Sequence, residues 1–232
     1  MCIRDRYKTI VDEFDDAIKA GEFKMYLQPQ ISAKTRRLTG AEALVRRIKP
    51  DGTIISPIDF IPVYEKSGLI SRLDRYIWEQ AAAKLGEWKK AGINMSISVN
   101  ISPKDFYYID IFNTFAGLIK KYDIEPSNLK IEITETTIMS DVPNLMGELE
   151  ELRKAGFTLE MDDFGSGYSS LNTLKDINVD VLKVDMGFIK ETKNVKKSRI
   201  ILASVIKMAK ELNLLIITEG VETEEQVDNL TK

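Results

Sequence analysis

Strand-like and helix-like segments alternate along most of the 232 residues, and this order constrains the fold more than any other feature. Short segments rich in β-branched and apolar residues are separated by longer segments with helical periodicity. The predicted strands are Phe23 to Ile31, Leu38 to Ile48, Ser96 to Ile101, Leu129 to Thr134, Phe157 to Asp162, Val181 to Asp185 and Leu214 to Thr218. Regular alternation of this kind predicts an α/β fold with a parallel sheet, either open or closed into a barrel.

The segments before and between these strands complete the predicted domain organisation. Residues 1–6 are interpreted as a non-native leader, because MCIRDR resembles a translated sequencing adapter. Residues 7–20 are predicted to form an amphipathic helix that could link to an upstream domain. Residues 21–232 are predicted to form one domain. The other predicted helices are Asp59 to Lys66, Leu73 to Lys90, Ile109 to Tyr122, Val142 to Lys154, Ser169 to Leu174 and Lys196 to Leu212.

The composition excludes several kinds of chemistry. The sequence contains no histidine, which excludes Ser-His-Asp hydrolysis, imidazole acid–base catalysis and His-ligated zinc. Its single cysteine, Cys2, can form neither an intramolecular disulfide nor a thiolate metal cage. The net charge of −3 comes with no visible basic face, so small molecules or proteins are expected as partners rather than polymeric nucleic acid. Without a long apolar run or a signal peptide, the domain is expected in the cytoplasm, whether or not the parent protein is tethered to a membrane.

Polar side chains lie on one face of several predicted strands. Because successive strand residues point to opposite faces, Asn100 lies opposite Val99 and Ile101. The polar residues on such faces or at strand ends are Glu42, Asn100, Glu132, Asp162, Asp163, Lys183 and Glu219. An internal salt-bridge network would explain any one of them, but the set comes mostly from C-terminal strand ends, where barrel enzymes place their sites. Since the excess charge is acidic and the ligands are oxygens, the set favours Mg²⁺ or Mn²⁺.

The same residues belong to a series of short motifs. These are YLQP (26–29), AEALVR (41–46), FIP (60–62), SVNIS (98–102), EITE (132–135), DDFGSGYSSL (162–171), LKVD (182–185) and EGVET (219–223). In this order and spacing, the sequence from about residue 20 onward resembles the EAL domains of cyclic-di-GMP signalling proteins. The resemblance implies a TIM-like (β/α)8 barrel with an antiparallel first strand. That topology agrees with the short polar turn between the first two predicted strands.

The resemblance also implies an activity and a role for each motif residue. EAL enzymes hydrolyse cyclic-di-GMP to linear pGpG. The implied ligands of two Mg²⁺ or Mn²⁺ ions are Glu42, Asn100, Glu132, Asp162, Asp163 and Glu219, and Glu219 also belongs to the catalytic pair with Lys183. Lys183 would hold or deprotonate the attacking water, and its burial beside metals is expected to lower its pKa. The implied substrate contacts are Gln28, Leu44 and Arg46, with Arg46 at a phosphate, while Glu135 and Glu222 would support the loop 163–171.

Two other functions remain open at this stage. A degenerate or truncated EAL domain could bind cyclic-di-GMP or a protein without hydrolysis, and a barrel with two carboxylates could be a glycoside hydrolase. The complete set of ligands favours the phosphodiesterase over both, since adjacent Asp162 and Asp163 with the Asn100 amide suit a two-metal site. Candidate partners besides cyclic-di-GMP are a second copy of the chain and an upstream diguanylate-cyclase-like or sensor domain.

The last strand and helix of the barrel are expected to be missing from this chain. EAL domains continue past the EGVE segment into a strand that carries an active-site glutamine, whereas this sequence stops at Lys232. We therefore expect the chain alone to be nearly inactive and to aggregate through the strand Leu214 to Thr218, which is apolar, uncharged and free of proline.

Overall fold

The structure, a computed structural model, describes residues 3–165, 170–185 and 195–230 and is built around one curled sheet. The strands are β1 (Phe23–Ile31), β2 (Leu38–Ile48), β3 (Ile54–Ile55), β4 (Ser96–Ile101), β5 (Leu129–Thr134), β6 (Leu159–Asp162), β7 (Val181–Asp185) and β8 (Leu215–Glu219). Their order is β1-β2-β4-β5-β6-β7-β8, with the short β3 paired to β2. β1 and β3 run antiparallel to β2, while the other neighbours are parallel. The predicted fold class is therefore confirmed, including the antiparallel first strand.

The helices cover the outside of this sheet. They are α1 (Ile3–Asp12), α2 (Phe14–Lys19), α3 (Pro57–Ser67), α4 (Ile70–Lys90), α5 (Asp105–Tyr108), α6 (Ile111–Tyr122), α7 (Glu135–Ile138), α8 (Leu145–Lys154), α9 (Ser170–Asp176), α10 (Val195–Glu211) and α11 (Glu224–Leu230). The predicted helix 7–20 is divided at Glu13, although the Glu13 N–H still donates to the Thr9 carbonyl at 3.0 Å. Four of the six residues interpreted as a leader lie in α1, and Met1 and Cys2 lie outside the described residues.

The main core forms where the apolar face of the strands meets the helices. Ile97, Val99 and Ile131 are fully buried, as the alternation along β4 and β5 predicts. Trp78 of α4 packs on Phe115 of α6 with ring centroids 4.9 Å apart. Full burial of an aliphatic side chain contributes about 1.5–3 kcal/mol to stability. The apolar face of the strands is therefore fixed against the helices, and the polar face points to the inside of the sheet.

A second core joins the N-terminal helices to the sheet. Phe14 of α2 packs edge-on against Tyr64 of α3 with centroids 5.0 Å apart. Buried Arg47 of β2 closes this cluster, donating from Nε to Glu22 Oε2 at 2.9 Å and from Nη2 to Glu13 Oε2 at 2.7 Å. Because a buried guanidinium is stable only when its donors are paired, these two bonds hold α2 against the end of β2.

Candidate active site

The polar ends of the strands meet at one edge of the sheet. In the parallel ladder Asn100 lies beside Glu132, and Thr134 lies beside Asp162. Glu42 of β2 lies beside Ser98, one pleat below Asn100. Since parallel strands end at the same edge, side chains that are far apart in sequence become neighbours there.

Lys183 of β7 lies at the centre of this group. Its Nζ atom is 2.8 Å from Glu219 Oε1, 3.0 Å from Glu42 Oε2, 3.0 Å from Glu132 Oε2 and 3.3 Å from Asp162 Oδ1. The lysine side chain is only 1% exposed. A single buried ammonium therefore brings together carboxylates from β2, β5, β6 and β8.

The side chain of Asn100 contacts the same group, and its backbone carbonyl is bonded to the helix layer. Its Nδ2 atom donates to Glu42 Oε1 at 3.4 Å. Its carbonyl accepts a hydrogen bond from Trp78 Nε1 at 2.9 Å. Because Trp78 is held in the main core by α4, this bond fixes the end of β4 relative to the helix layer.

Glu132 is the most deeply buried carboxylate of the group. Burial raises its pKa well above the usual range; Lys183 opposes that shift, while Glu42, Glu160 and Asp162 add to it. Although Glu132 Oε2 lies 3.0 Å from the ammonium, neither of its oxygens has a hydrogen bond of good geometry. The contact is therefore an electrostatic one, and the carboxylate has free lone pairs for another cationic partner.

Among the carboxylates of the protein itself the pKa of Lys183 is raised, whereas the expectation from the sequence concerned a lysine beside bound metals and stays a prediction. Burial alone would lower the pKa of this ammonium, but the charges of Glu132, Asp162 and Glu42 and the hydrogen bond to Glu219 outweigh burial. Opposite charges at about 3 Å stabilise the protonated form strongly in a buried site. Among the protein's own side chains, Lys183 is thus a firmly charged ammonium.

Asp163 stands at the turn that follows β6. Its φ of 56° is left-handed, a conformation that aspartate tolerates better than most residues. Its N–H donates to Asp162 Oδ1 at 2.9 Å, and the next N–H, from Phe164, donates to the Lys183 carbonyl at 3.3 Å. Burial, followed by the charge of Asp162, raises the pKa of Asp163. The turn therefore keeps the two adjacent carboxylates at the same end of the site.

The charge of the group fits divalent cations. The five carboxylates of Glu42, Glu132, Asp162, Asp163 and Glu219 face the one ammonium of Lys183, an excess of four negative charges. Two divalent cations would balance it, and the oxygen-only donors match the preference of Mg²⁺ and Mn²⁺. In the part of the chain that the structure describes, no three acidic side chains converge on a common point as a formed metal site, because four of these carboxylates turn toward Lys183.

A cleft of about 620 Å³ opens beside the carboxylates. Two of the predicted substrate contacts, Leu44 and Arg46, line it together with Asn100. The third, Gln28, is exposed on β1 directly opposite Glu42 in the antiparallel ladder. Among the described residues that line the cleft, Asn100 is the candidate ligand, and its bond to Glu42 connects the cleft to the carboxylate group.

The comparisons with known proteins decide the family. The sequence model described as EAL domain matches residues 11–232. The chain belongs to the EAL domain family. Among curated relatives, the EAL domain is 37% identical over 223 residues to the probable cyclic di-GMP phosphodiesterase PdeG of Escherichia coli, covering 93% of this chain and 43% of the relative. It is 33% identical over 224 residues to the bifunctional diguanylate cyclase/cyclic di-GMP phosphodiesterase MucR of Pseudomonas aeruginosa, covering 96% and 33%.

Solved structures agree with this assignment. A structure titled PaMucR phosphodiesterase, c-di-GMP complex, superposes on the EAL domain with a TM-score of 0.88 at 32% identity, covering 96% of this chain and 91% of that one. The EAL enzyme Bd1971 with cAMP and cyclic-di-GMP gives 0.88 at 29% identity, covering 98% and 62%. The chain spans less than half the length of the two curated relatives named above. Within the residues described, none of the helices has the length and apolar character required to cross a membrane.

The two predicted loop-supporting residues of the EAL domain lie just after β5 and β8. Glu135 begins α7 and is buried, while Glu222 is exposed and its N–H donates to Gln226 Oε1 at 2.7 Å. Much of the loop that they were expected to support, residues 166–169, lies outside the described residues. Their role stays a prediction.

Sequence reasoning missed a pair of acids at the cleft of the EAL domain, buried Asp105 and half-buried Asp74. Asp105 is fully buried, and its Oδ2 accepts from the Ser102 N–H at 2.7 Å. Burial raises the pKa of Asp105 to about 6, against the opposing bond from Ser102, and raises the pKa of neighbouring Asp74 well above its usual range. Asp74 and Ser102 both line the cleft. The spacing of Ser102 and Asp105, three residues apart before a short helix, is the signal that could have identified this bond.

Proposed function

We propose that this EAL domain hydrolyses cyclic-di-GMP to linear pGpG with the help of two divalent cations. The observation that carries the proposal is the convergence of Glu42, Glu132, Asp162 and Glu219 around Lys183 beside a cleft of about 620 Å³. Such an acidic site would repel a phosphodiester unless cations stood between them. The family is generally dependent on divalent metals, and relatives of this chain are named cyclic di-GMP phosphodiesterases.

Each predicted ligand has a place in this proposal. The residues that would hold the cations are Glu42, Asn100, Glu132, Asp162, Asp163 and Glu219. When bound, the cations would supply an activated water and would neutralise charge on the phosphate oxygens. The side chains of the protein hold these groups in fixed positions and exclude bulk water from the buried part of the site.

Lys183 would hold or deprotonate the attacking water. Its ammonium lies between carboxylates of four strands, so it can donate to a water placed among them. Arg46, at the wall of the cleft, can bind a phosphate oxygen through its guanidinium. Gln28 and Leu44 stand on either side of Glu42 and would contact the rest of the nucleotide.

The main alternative is an EAL domain that binds cyclic-di-GMP or a protein without cleaving it. This alternative requires the cleft for binding but does not require an activated water. The family assignment does not support the alternative that the chain is a glycoside hydrolase. For the parent protein, we propose a cytoplasmic location for this domain, with a homodimer and an upstream diguanylate-cyclase-like or sensor domain as further partners.

The proposal is tested by incubating the chain with cyclic-di-GMP and either MgCl₂ or an excess of chelator, followed by nucleotide chromatography. We expect pGpG with magnesium and none with chelator. Binding of cyclic-di-GMP by calorimetry without any pGpG would assign the domain to the binding-module alternative. Sustained turnover in chelator would overturn the two-cation mechanism.

A further inference from the structure

A second polar layer lies beneath the carboxylates of the candidate site. Glu160 of β6 is 0% exposed. Its Oε1 is 2.9 Å from Lys130 Nζ, and its Oε2 accepts from Ser98 Oγ at 2.8 Å. Ser98 is fully buried, and the Lys130 side chain is 18% exposed at the other end of the strands. Both oxygens of a deeply buried carboxylate are thus satisfied by partners on β4 and β5.

Each member of this layer stands one pleat below a candidate ligand. Ser98 precedes Asn100 by two residues, Lys130 precedes Glu132, and Glu160 precedes Asp162. Residues two apart on a strand share a face and lie roughly 6–7 Å apart. Glu160 is also the ladder neighbour of Glu132. The flexible side chain of Lys130 can therefore reach Glu160 on the neighbouring strand or Glu132 two residues along its own strand.

Lys130 is a potential competitor for the cation site. The candidate ligands already hold one ammonium, that of Lys183, and an excess of negative charge remains. A second ammonium beside Glu132 would reduce that excess and occupy lone pairs that a metal requires. The ion pair with Glu160 keeps the charge of Lys130 in the lower layer.

We propose that Glu160 is a positioning residue that holds Lys130 out of the cation site and so preserves the affinity of that site for divalent metals. The inference rests on the proposed two-cation function but concerns metal binding and not hydrolysis. Glu160 acts through Lys130, with Ser98 fixing its second oxygen. Removing the negative charge of Glu160 should free Lys130 to turn toward Glu132, whereas removing both charges should leave the site undisturbed.

The test is direct Mn²⁺ binding by isothermal titration calorimetry, without nucleotide, on four forms of the full chain. Glu160→Gln should bind Mn²⁺ at least tenfold more weakly than wild type. Lys130→Met/Glu160→Gln should return to within about threefold of wild type, because the competing ammonium has gone. Glu150→Gln, which removes an exposed carboxylate of α8 that pairs with Arg153 and Lys154, is the matched control and should bind as wild type does.

Lys130→Met separates a positioning role from a structural one. Recovery in the double variant is also expected of a structural ion pair, because removing both partners leaves no unpaired buried charge. A purely structural pair predicts weaker Mn²⁺ binding in Lys130→Met, which leaves Glu160 unpaired, whereas the positioning role requires binding at least as tight as wild type. Wild-type affinity in Glu160→Gln, or a double variant as weak as Glu160→Gln, would overturn the proposal. If Glu160→Gln does not fold, as judged by circular dichroism, Lys130→Met must still bind Mn²⁺ at least as tightly as wild type, and weaker binding overturns the proposal.

The outcome for hydrolysis is independent. Wild-type chain that binds Mn²⁺ with the expected pattern across the variants but releases no pGpG would refute the proposed function and leave the role of Glu160 standing. Release of pGpG by the wild type, with no difference in Mn²⁺ affinity between wild type and Glu160→Gln, would support the proposed function and refute the role of Glu160.

Discussion

Replacing Lys183 by methionine should remove the positive charge that holds the candidate site together. Four carboxylates lie within 3.3 Å of its Nζ atom, and the lysine side chain is 1% exposed. Loss of one partner from a buried ion pair costs about 3–5 kcal/mol because a charge is left uncompensated. We therefore expect the free energy of unfolding of Lys183→Met to fall by roughly 3–5 kcal/mol at pH 8 in chelator. For a chain of this size, that corresponds to a drop in Tm of roughly 6–20 °C.

The loss should depend on pH in a defined direction. Burial raises the pKa values of Glu132 and Glu219 in the folded chain. A carboxyl group whose pKa is raised on folding stabilises the fold at low pH, and that stability is lost as the pH rises through the folded pKa. Without Lys183 these groups become neutral by protonation more readily at pH 5 than at pH 8. The destabilisation should therefore be smaller at pH 5.

The measurement is urea unfolding followed by circular dichroism at pH 5 and pH 8, with chelator and with Mn²⁺. Lys154→Met is the matched control, because that lysine is 73% exposed and should contribute less than about 0.5 kcal/mol. Mn²⁺ at 100 times its dissociation constant should restore about 2.7 kcal/mol. A Lys183→Met variant within 1 kcal/mol of wild type at pH 8 in chelator would show that the ammonium does not hold these carboxylates together.

Three further predictions follow from the same contacts. Glu42→Gln should lower pGpG release at least a hundredfold, because a candidate ligand is lost even though the bond from Asn100 can be kept; turnover within tenfold of wild type would contradict this. Arg46→Lys should raise KM for cyclic-di-GMP about tenfold with a smaller effect on kcat, since an ammonium cannot form the paired bonds of a guanidinium; an unchanged KM would remove Arg46 from the phosphate site. The pKa of Asp105 rises from 3.8 to about 6, so wild-type stability should fall by roughly 2 kcal/mol as the pH rises from 4 to 8, relative to Asp105→Asn; parallel pH profiles in urea unfolding would refute this coupling.

Local patterns were enough to predict the longer strands and the faces of β4 and β5, while the barrel topology with its antiparallel first strand was implied by the family resemblance. Alternation along β4 and β5 placed Ile97 and Ile131 in the core and Asn100 and Glu132 on the opposite face, because the side-chain period of a strand is fixed by backbone geometry. Parallel neighbours then had to bring the polar ends to one edge. The motif residues around Lys183 could be predicted for the same reason, although their metal-binding and catalytic roles stay proposals.

Tertiary structure decided the charge states and the partners of the buried polar groups. The raised pKa of Lys183 depends on its distances to four carboxylates from other strands, and these distances exist only in the folded sheet. Likewise, nothing in the spacing of Lys130 and Glu160 shows that they form an ion pair, since 30 residues separate them. Electrostatic energy depends on separation and burial, whereas the sequence pattern supplies only the face on which each side chain lies.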